Sequence, residues 1–185
     1  MRNRLLISAV FFFSLLFGTN VSGVISSNTT WTLANSPYLV TGNVLVNEGV
    51  TLSIEPGVMV KLGGAESILI AGELIAEGTS NEKITFTSEE PNPFELDKWG
   101  WIKFASNSVD ASYDASGNYI NGSILSHCVI EYGGANVPSN PSHLNGMLFL
   151  DDAHPLISNC EIKYSSKSGI FADNISSLLK IENCI

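Results

Sequence analysis

Arginine is almost missing from this 185-residue chain: Arg2 and Arg4 are the only two, and both precede an apolar run from Leu5 to Phe17. No other apolar run is as long, and this one falls short of the roughly 20 residues that a membrane-spanning helix needs. The positive start, the apolar run and the small-residue stretch Val21-Ser22-Gly23 together read as an export signal over 1–23, with cleavage expected near Val24. A secreted or cell-surface protein is therefore expected, without membrane insertion after cleavage. Cysteine is also scarce. The three present, Cys128, Cys160 and Cys184, include no Cys-x-x-Cys pair and no metal-ligand spacing, and none lies near the cleavage region to carry a lipid.

Basic charge is deficient as well. The net charge is −9, and beyond residue 23 seven lysines face all 18 Asp and Glu. Nucleic acids and anionic membranes are held through Lys and Arg on phosphates, so neither is an expected partner. Neutral glycans and cations are. A capped helical stripe is missing too, which points to an all-β chain.

What is present is a repeat. Leu125-Ser126-His127-Cys128-Val129-Ile130-Glu131-Tyr132 aligns with Ile157-Ser158-Asn159-Cys160-Glu161-Ile162-Lys163-Tyr164 and again with Ile181-Glu182-Asn183-Cys184-Ile185. Upstream, Val44-Leu45-Val46 recurs as Ile68-Leu69-Ile70, and Leu52 and Ile54 recur as Leu74 and Ala76. The unit is about 22–24 residues, lengthened where polar, Gly- and Pro-rich segments intervene.

Within a unit the apolar residues alternate, as in Val50, Leu52 and Ile54 or Val58, Val60 and Leu62, which predicts short half-buried strands. Such a unit cannot bury its apolar face alone. Stacking coils about 4.8 Å apart, each strand parallel to its copy, can. The repeat Ile-x-Asn-Cys-x-Ile spaces two inward residues five apart, so a bend must lie between them. His127, Asn159 and Asn183 occupy that bend, where Asn accepts a left-handed backbone. The three cysteines are expected as a structural ladder of buried free thiols, with a disulfide between neighbouring coils as the alternative.

The run Val50-Thr51-Leu52-Ser53-Ile54-Glu55-Pro56-Gly57-Val58, with Gly72 to Thr79, Ile84 to Ser88 and Trp99-Gly100-Trp101-Ile102-Lys103-Phe104, resembles bacterial right-handed parallel β-helix repeat proteins of the pectate-lyase-like fold. The resemblance covers most of 40–185. It implies an N-terminal cap over 24–40 and a right-handed parallel β-helix over 41–185, with loop insertions near 88–98, 105–122 and 133–145. Ile185 falls inside the third Asn-Cys copy, so further coils are expected downstream. The family includes surface proteins, adhesin-like proteins and polysaccharide-degrading enzymes, and fold alone does not choose among them. It usually has glycine where this chain has Trp101, which is expected to face outward beside Trp99 and Lys103.

Four aromatics, Trp99, Trp101, Tyr113 and Tyr119, border the insertions and are the candidate sugar-stacking residues, because rigid aromatic faces bury apolar area at little entropic cost. Asp151-Asp152-Ala153-His154 is the most site-like cluster. A repeat step of 23 sets Asp151 beside Asn174 and Leu150 beside Asp173, and Asp151, Asp152 and Asp173 are the candidate ligands for Ca2+ through hard oxygens. Paired carboxylates also serve glycoside hydrolysis. However, the Gly-His-Gly element and the Arg-containing strand of pectin hydrolases are absent, and lyases of this fold lean on Arg or Lys, leaving only Lys163, Lys167 and Lys180 here. The expectation is carbohydrate or cell-surface binding without catalysis in this segment. The alternatives are a polysaccharide lyase or glycoside hydrolase whose groove lies mostly beyond 185, and a structural stalk.

Overall fold

The computed structural model describes residues 18–90, 99–135, 146–175 and 178–185. Residues 1–17 of the expected export signal, most of the 88–98 insertion and residues 136–145 of the third insertion lie outside the described residues. The chain winds as a right-handed parallel β-helix, and its strands form three faces. On the first face, residues 44–46, Ile68–Ile70, Ile102–Phe104, Gly146–Asp151 and Ser168–Asp173 stack in parallel. The second carries Thr29–Trp31, Thr51–Ile54, Glu73–Glu77, Ile124–Ser126, Leu156–Ser158 and Lys180–Glu182. The third carries residues 38–40, Met59–Leu62, Ile84–Ser88, Cys128–Glu131 and Glu161–Lys163. The long strand Tyr38–Val46 belongs to both the third face and the first, so it joins them into one sheet.

Alternation along each strand sends one set of side chains inward. Val46, Leu52, Val60, Leu62, Ile70, Leu74, Ile84, Phe86, Ile102, Phe104, Leu125 and Ile130 form one continuous, almost fully buried column. At about 25 cal/mol per Å² of apolar area, this column drives the winding, because no single coil could close around its own residues. At the N-terminal end Trp31 and Tyr38 stack with ring centroids 4.9 Å apart and cover the column. The strand Thr19–Ile25 also pairs with Tyr38–Val46, and Val21 and Ile25 pack against the core.

The bends between the second and third faces are left-handed: φ is 50° at His127, 54° at Asn159 and 53° at Asn183. This conformation costs an ordinary L-residue roughly 1–2 kcal/mol, and Asn reduces the cost through local hydrogen bonding. Backbone bonds also span the bends from coil to coil, His127 N to Ser158 O at 3.0 Å and Asn159 N to Glu182 O at 2.9 Å. Tyr132 and Tyr164 form a second left-handed pair, their rings stacked at 5.0 Å.

One register differs from expectation. Asp151 lies opposite Asp173 and Leu150 opposite Ala172. Asn174 instead repeats the left-handed position of Asp152, with φ of 54° and 47°. The physical reason is the period of two: a slip by one residue would turn Leu148 and Leu150 out of the core, where both are fully buried.

Candidate functional site

Each face of the solenoid has an outer surface, and the three differ in what occupies them. On the third face a row of charges is paired. Lys83 pairs with Glu161, Lys163 lies 3.3 Å from Glu161 and 3.6 Å from Glu131, and Thr87 donates to Glu131 at 3.0 Å. Hydrogen bonds from Lys83 and then Lys163 hold the Glu161 carboxyl below its ordinary value. This is a rail binding three coils together.

The second face is covered. The 105–122 insertion carries an antiparallel hairpin, Ser112–Tyr113 with Tyr119–Asn121, turned by Asp114, whose carboxylate accepts from Ser116 N, Asn118 N and Asn118 Nδ2. Lys180 fastens the hairpin by donating to Gly117 O at 2.8 Å and placing Nζ 3.8 Å from the centre of the Tyr113 ring. The Tyr119 hydroxyl donates to Gly122 O at 2.6 Å. Burial, then the charges of Glu77 and Glu73, push the Tyr119 phenol up to about 12. At the root of the hairpin, Asp110 accepts from the His154 backbone N at 2.7 Å and lies 3.1 Å from its Nδ1. Buried His154 is thus an anchor for the insertion. Tyr113 and Tyr119 are packing residues of the hairpin, which corrects their expected place beside the tryptophans in one sugar-stacking set.

Trp99 is corrected as well. It is fully buried, and its indole N–H donates to Glu131 O at 2.9 Å. Outward exposure beside Trp101 was expected from strand alternation, but Trp99 sits before the strand Ile102–Phe104, in a bridge to Gly133. A Cβ on Gly133 would meet the Trp99 ring at 2.6 Å, so the glycine is what admits the indole.

The first face remains. Its outward positions run in register from Val24 through Leu45, Leu69, Lys103 and Phe149 to Phe171. Lys103 divides this stripe: its Nζ lies 4.7 Å from the Phe149 ring centre and 2.7 Å from Asp151 Oδ2. On the N-terminal side of Lys103, half-buried Trp101 joins Val24, Leu45 and Leu69 around a groove of about 300 Å³, with Asn43 and Ser67 on its polar edge. That edge is built by a chain of bonds. Ser67 N donates to Asn43 Oδ1 at 2.9 Å, Trp101 N to Ser67 Oγ at 3.3 Å, and Ile68 N to Trp101 O at 2.9 Å. The volume matches the lower end of small-ligand pockets, and the apolar wall with a few fixed polar groups matches their usual chemistry.

The acidic cluster is dispersed. Asp151 is engaged by Lys103 and faces Asp173 across the strand pair, while Asp152 occupies a left-handed corner. Among the described residues no three His, Cys, Asp or Glu side chains gather to hold a metal ion, so the geometry gives Asp151, Asp152 and Asp173 no joint role toward Ca2+. The candidate bases are similarly committed: Lys163 to Glu131 and Glu161, Lys180 to the hairpin.

The cysteines follow the register of the third face. Val129 pairs with Glu161, which sets Cys128 against Cys160, both buried, while Cys184 is half-buried one coil on. Their thiols donate to backbone oxygens, Cys128 to Ser126 O at 3.4 Å and Cys160 to Ser158 O at 3.3 Å. The hydrogen bond with Cys160, then burial, raises the Cys128 thiol well above its ordinary value.

A family model described as a pectate-lyase-like β-helix domain matches residues 23–150. The chain belongs to that family. The match spans every residue lining the groove, from Gly23 to Trp101, and takes in Lys103 but stops before Asp151. No curated protein and no solved structure matches the chain. Among the described residues no helix is long and apolar enough to cross a membrane.

Sequence reasoning missed Leu45, Leu69 and Asn43. The signal was nevertheless present: Val44-Leu45-Val46 and Ile68-Leu69-Ile70 are apolar at the central, outward position, where a solvated strand would carry a polar side chain.

Proposed function

We propose that this pectate-lyase-like β-helix domain is secreted or displayed at the cell surface and binds a neutral carbohydrate on its first face, without catalysis in this segment. The observation that carries the reading is the Trp101 groove. It combines an aromatic side chain, an aliphatic wall and fixed polar groups on a rigid scaffold, and its lining holds no ionisable side chain. A sugar ring has apolar C–H faces and polar edges, and a stacking residue with hydrogen-bonding neighbours answers both.

Catalysis is disfavoured by commitment of the charged groups. Glycoside hydrolysis needs two carboxyls flanking one bond, and lyase chemistry needs a base near an acidic proton. Here the groove lining offers neither, and Asp151, across Lys103, is paired with it. The net charge of −9 also opposes polyuronates. The test is direct. Purified protein is incubated with pectate and with alginate, each with calcium, while unsaturated-uronate absorbance and reducing ends are followed. The reading expects no steady signal, and a steady signal abolished by Asp151→Asn would replace it with the lyase or hydrolase alternative.

A further inference from the structure

The groove carries one feature that a bare hexose ring would leave unused. The indole Nε1 of Trp101 is buried and has no hydrogen-bond partner. An unsatisfied buried N–H is among the costlier defects in a folded protein, and a ligand that supplies an acceptor removes that cost. The groove that Trp101 lines also carries the aliphatic side chains of Val24, Leu45 and Leu69, with Val24 mostly exposed. Hydroxyl groups gain nothing against such a wall. Asn43 Oδ1 accepts from Ser67 N and Ser67 Oγ from Trp101 N, which fixes both groups at the polar edge, where they meet the hydroxyls of any sugar alike.

Resting on the carbohydrate reading above, we infer that the groove selects a glycan bearing N-acetyl groups. An acetamido substituent brings both missing pieces in one group. Its methyl packs on the Leu45 and Leu69 wall, and its carbonyl oxygen accepts from the Trp101 indole N–H once the ring turns to present it. The group is uncharged, which suits a groove without ionisable lining in an acidic chain. A 6-deoxyhexose offers a methyl but no acceptor beside it, and therefore satisfies only the wall.

The experiment titrates purified protein, by calorimetry, with β-1,4-linked N-acetylglucosamine oligomers, glucose oligomers of the same length and linkage, and 6-deoxyhexose oligosaccharides. The expected result is a preference of about tenfold or more for the N-acetylated series, the scale set by satisfying one buried donor together with one methyl contact. Trp101→Phe keeps an aromatic ring but lacks the indole donor, so affinity for the N-acetylated series should fall more than affinity for glucose oligomers, which shrinks that preference. Leu69→Ser should shrink it as well. Unchanged circular dichroism of each variant separates these effects from misfolding. Equal binding of the glucose and N-acetylglucosamine series, tighter binding of the 6-deoxy series, or an undiminished preference in Trp101→Phe would each overturn this inference and leave the carbohydrate reading standing. If none of the three series bound, both would fall.

Discussion

Lys103 and Asp151 meet across neighbouring coils of the first face, Nζ 2.7 Å from Oδ2, with the lysine also lying over the Phe149 ring. This contact closes one end of the groove stripe and removes Asp151 from acid-base work. Asp151→Asn should therefore leave glycan affinity within about twofold and cost only about 0.2–1 kcal/mol of stability, as for other partly exposed pairs. Calorimetry and thermal unfolding measure the two. A loss of binding comparable to that of a groove residue would return Asp151 to the site.

Trp99 is expected to behave as a core residue. Trp99→Ala should destabilise by about 3–5 kcal/mol, the range for removing a fully buried large side chain, and Trp99→Phe by less, through loss of the bond to Glu131 O. Gly133→Ala should also destabilise, because its Cβ would enter the Trp99 ring. Denaturant titration checks the order. Weakened glycan binding in a folded Trp99→Phe variant would contradict the assignment of this indole to packing.

The thiols should react in order of exposure. Cys184 is half-buried, whereas Cys128 is fully buried with its thiol pushed up by the bond to Cys160 and by burial. Burial raises the Cys184 thiol too and the bond with Cys128 lowers that of Cys160, so exposure sets the order, and alkylation of the folded protein should label Cys184 first and Cys128 last, with all three labelled in denaturant. Mass spectrometry of timed samples reads this. Early labelling of Cys128 would mean that the coil register is wrong.

High pH should loosen the hairpin. The Tyr119 phenol titrates at about 12 in the folded chain against about 10 unfolded. The unfolded chain therefore loses its proton first, and folding stability should fall as pH rises from about 10 toward 12 while staying level below 10. Phenol exposure discounts the size of this fall. Tyr119→Phe should flatten it, at the expense of the bond to Gly122 O. A stability curve unchanged by that substitution would show that another group titrates.

The solenoid was legible because period-two alternation and the near-constant coil length are properties of local sequence. Val44 against Ile68 and Leu125 against Ile157 are pairings that the repeat alone specifies. Asp151 was misplaced by one residue because a turn without a tight motif leaves the step open between 22 and 23, and only burial of Leu148 and Leu150 decides it. Trp99 and Trp101 are two residues apart and chemically alike, so alternation put both outside. Their difference depends on Gly133, a partner 34 residues along that no local pattern points to. The groove was hidden for the same reason. Its wall comes from Leu45, Leu69 and Trp101 on three successive coils, and an outward leucine in one strand gains meaning only when its neighbours in the stack repeat it.

The central claim is that Trp101 on the first face, and no acidic residue, carries ligand recognition. Isothermal titration of an N-acetylglucosamine oligomer into the native protein, Trp101→Ala and Asp151→Asn tests it most directly. The expected result is a loss of about tenfold or more in affinity for Trp101→Ala, about 1.4 kcal/mol, as removal of an aromatic contact surface and its hydrogen-bond donor implies, with Asp151→Asn close to native. Native affinity in a folded Trp101→Ala variant would contradict the account.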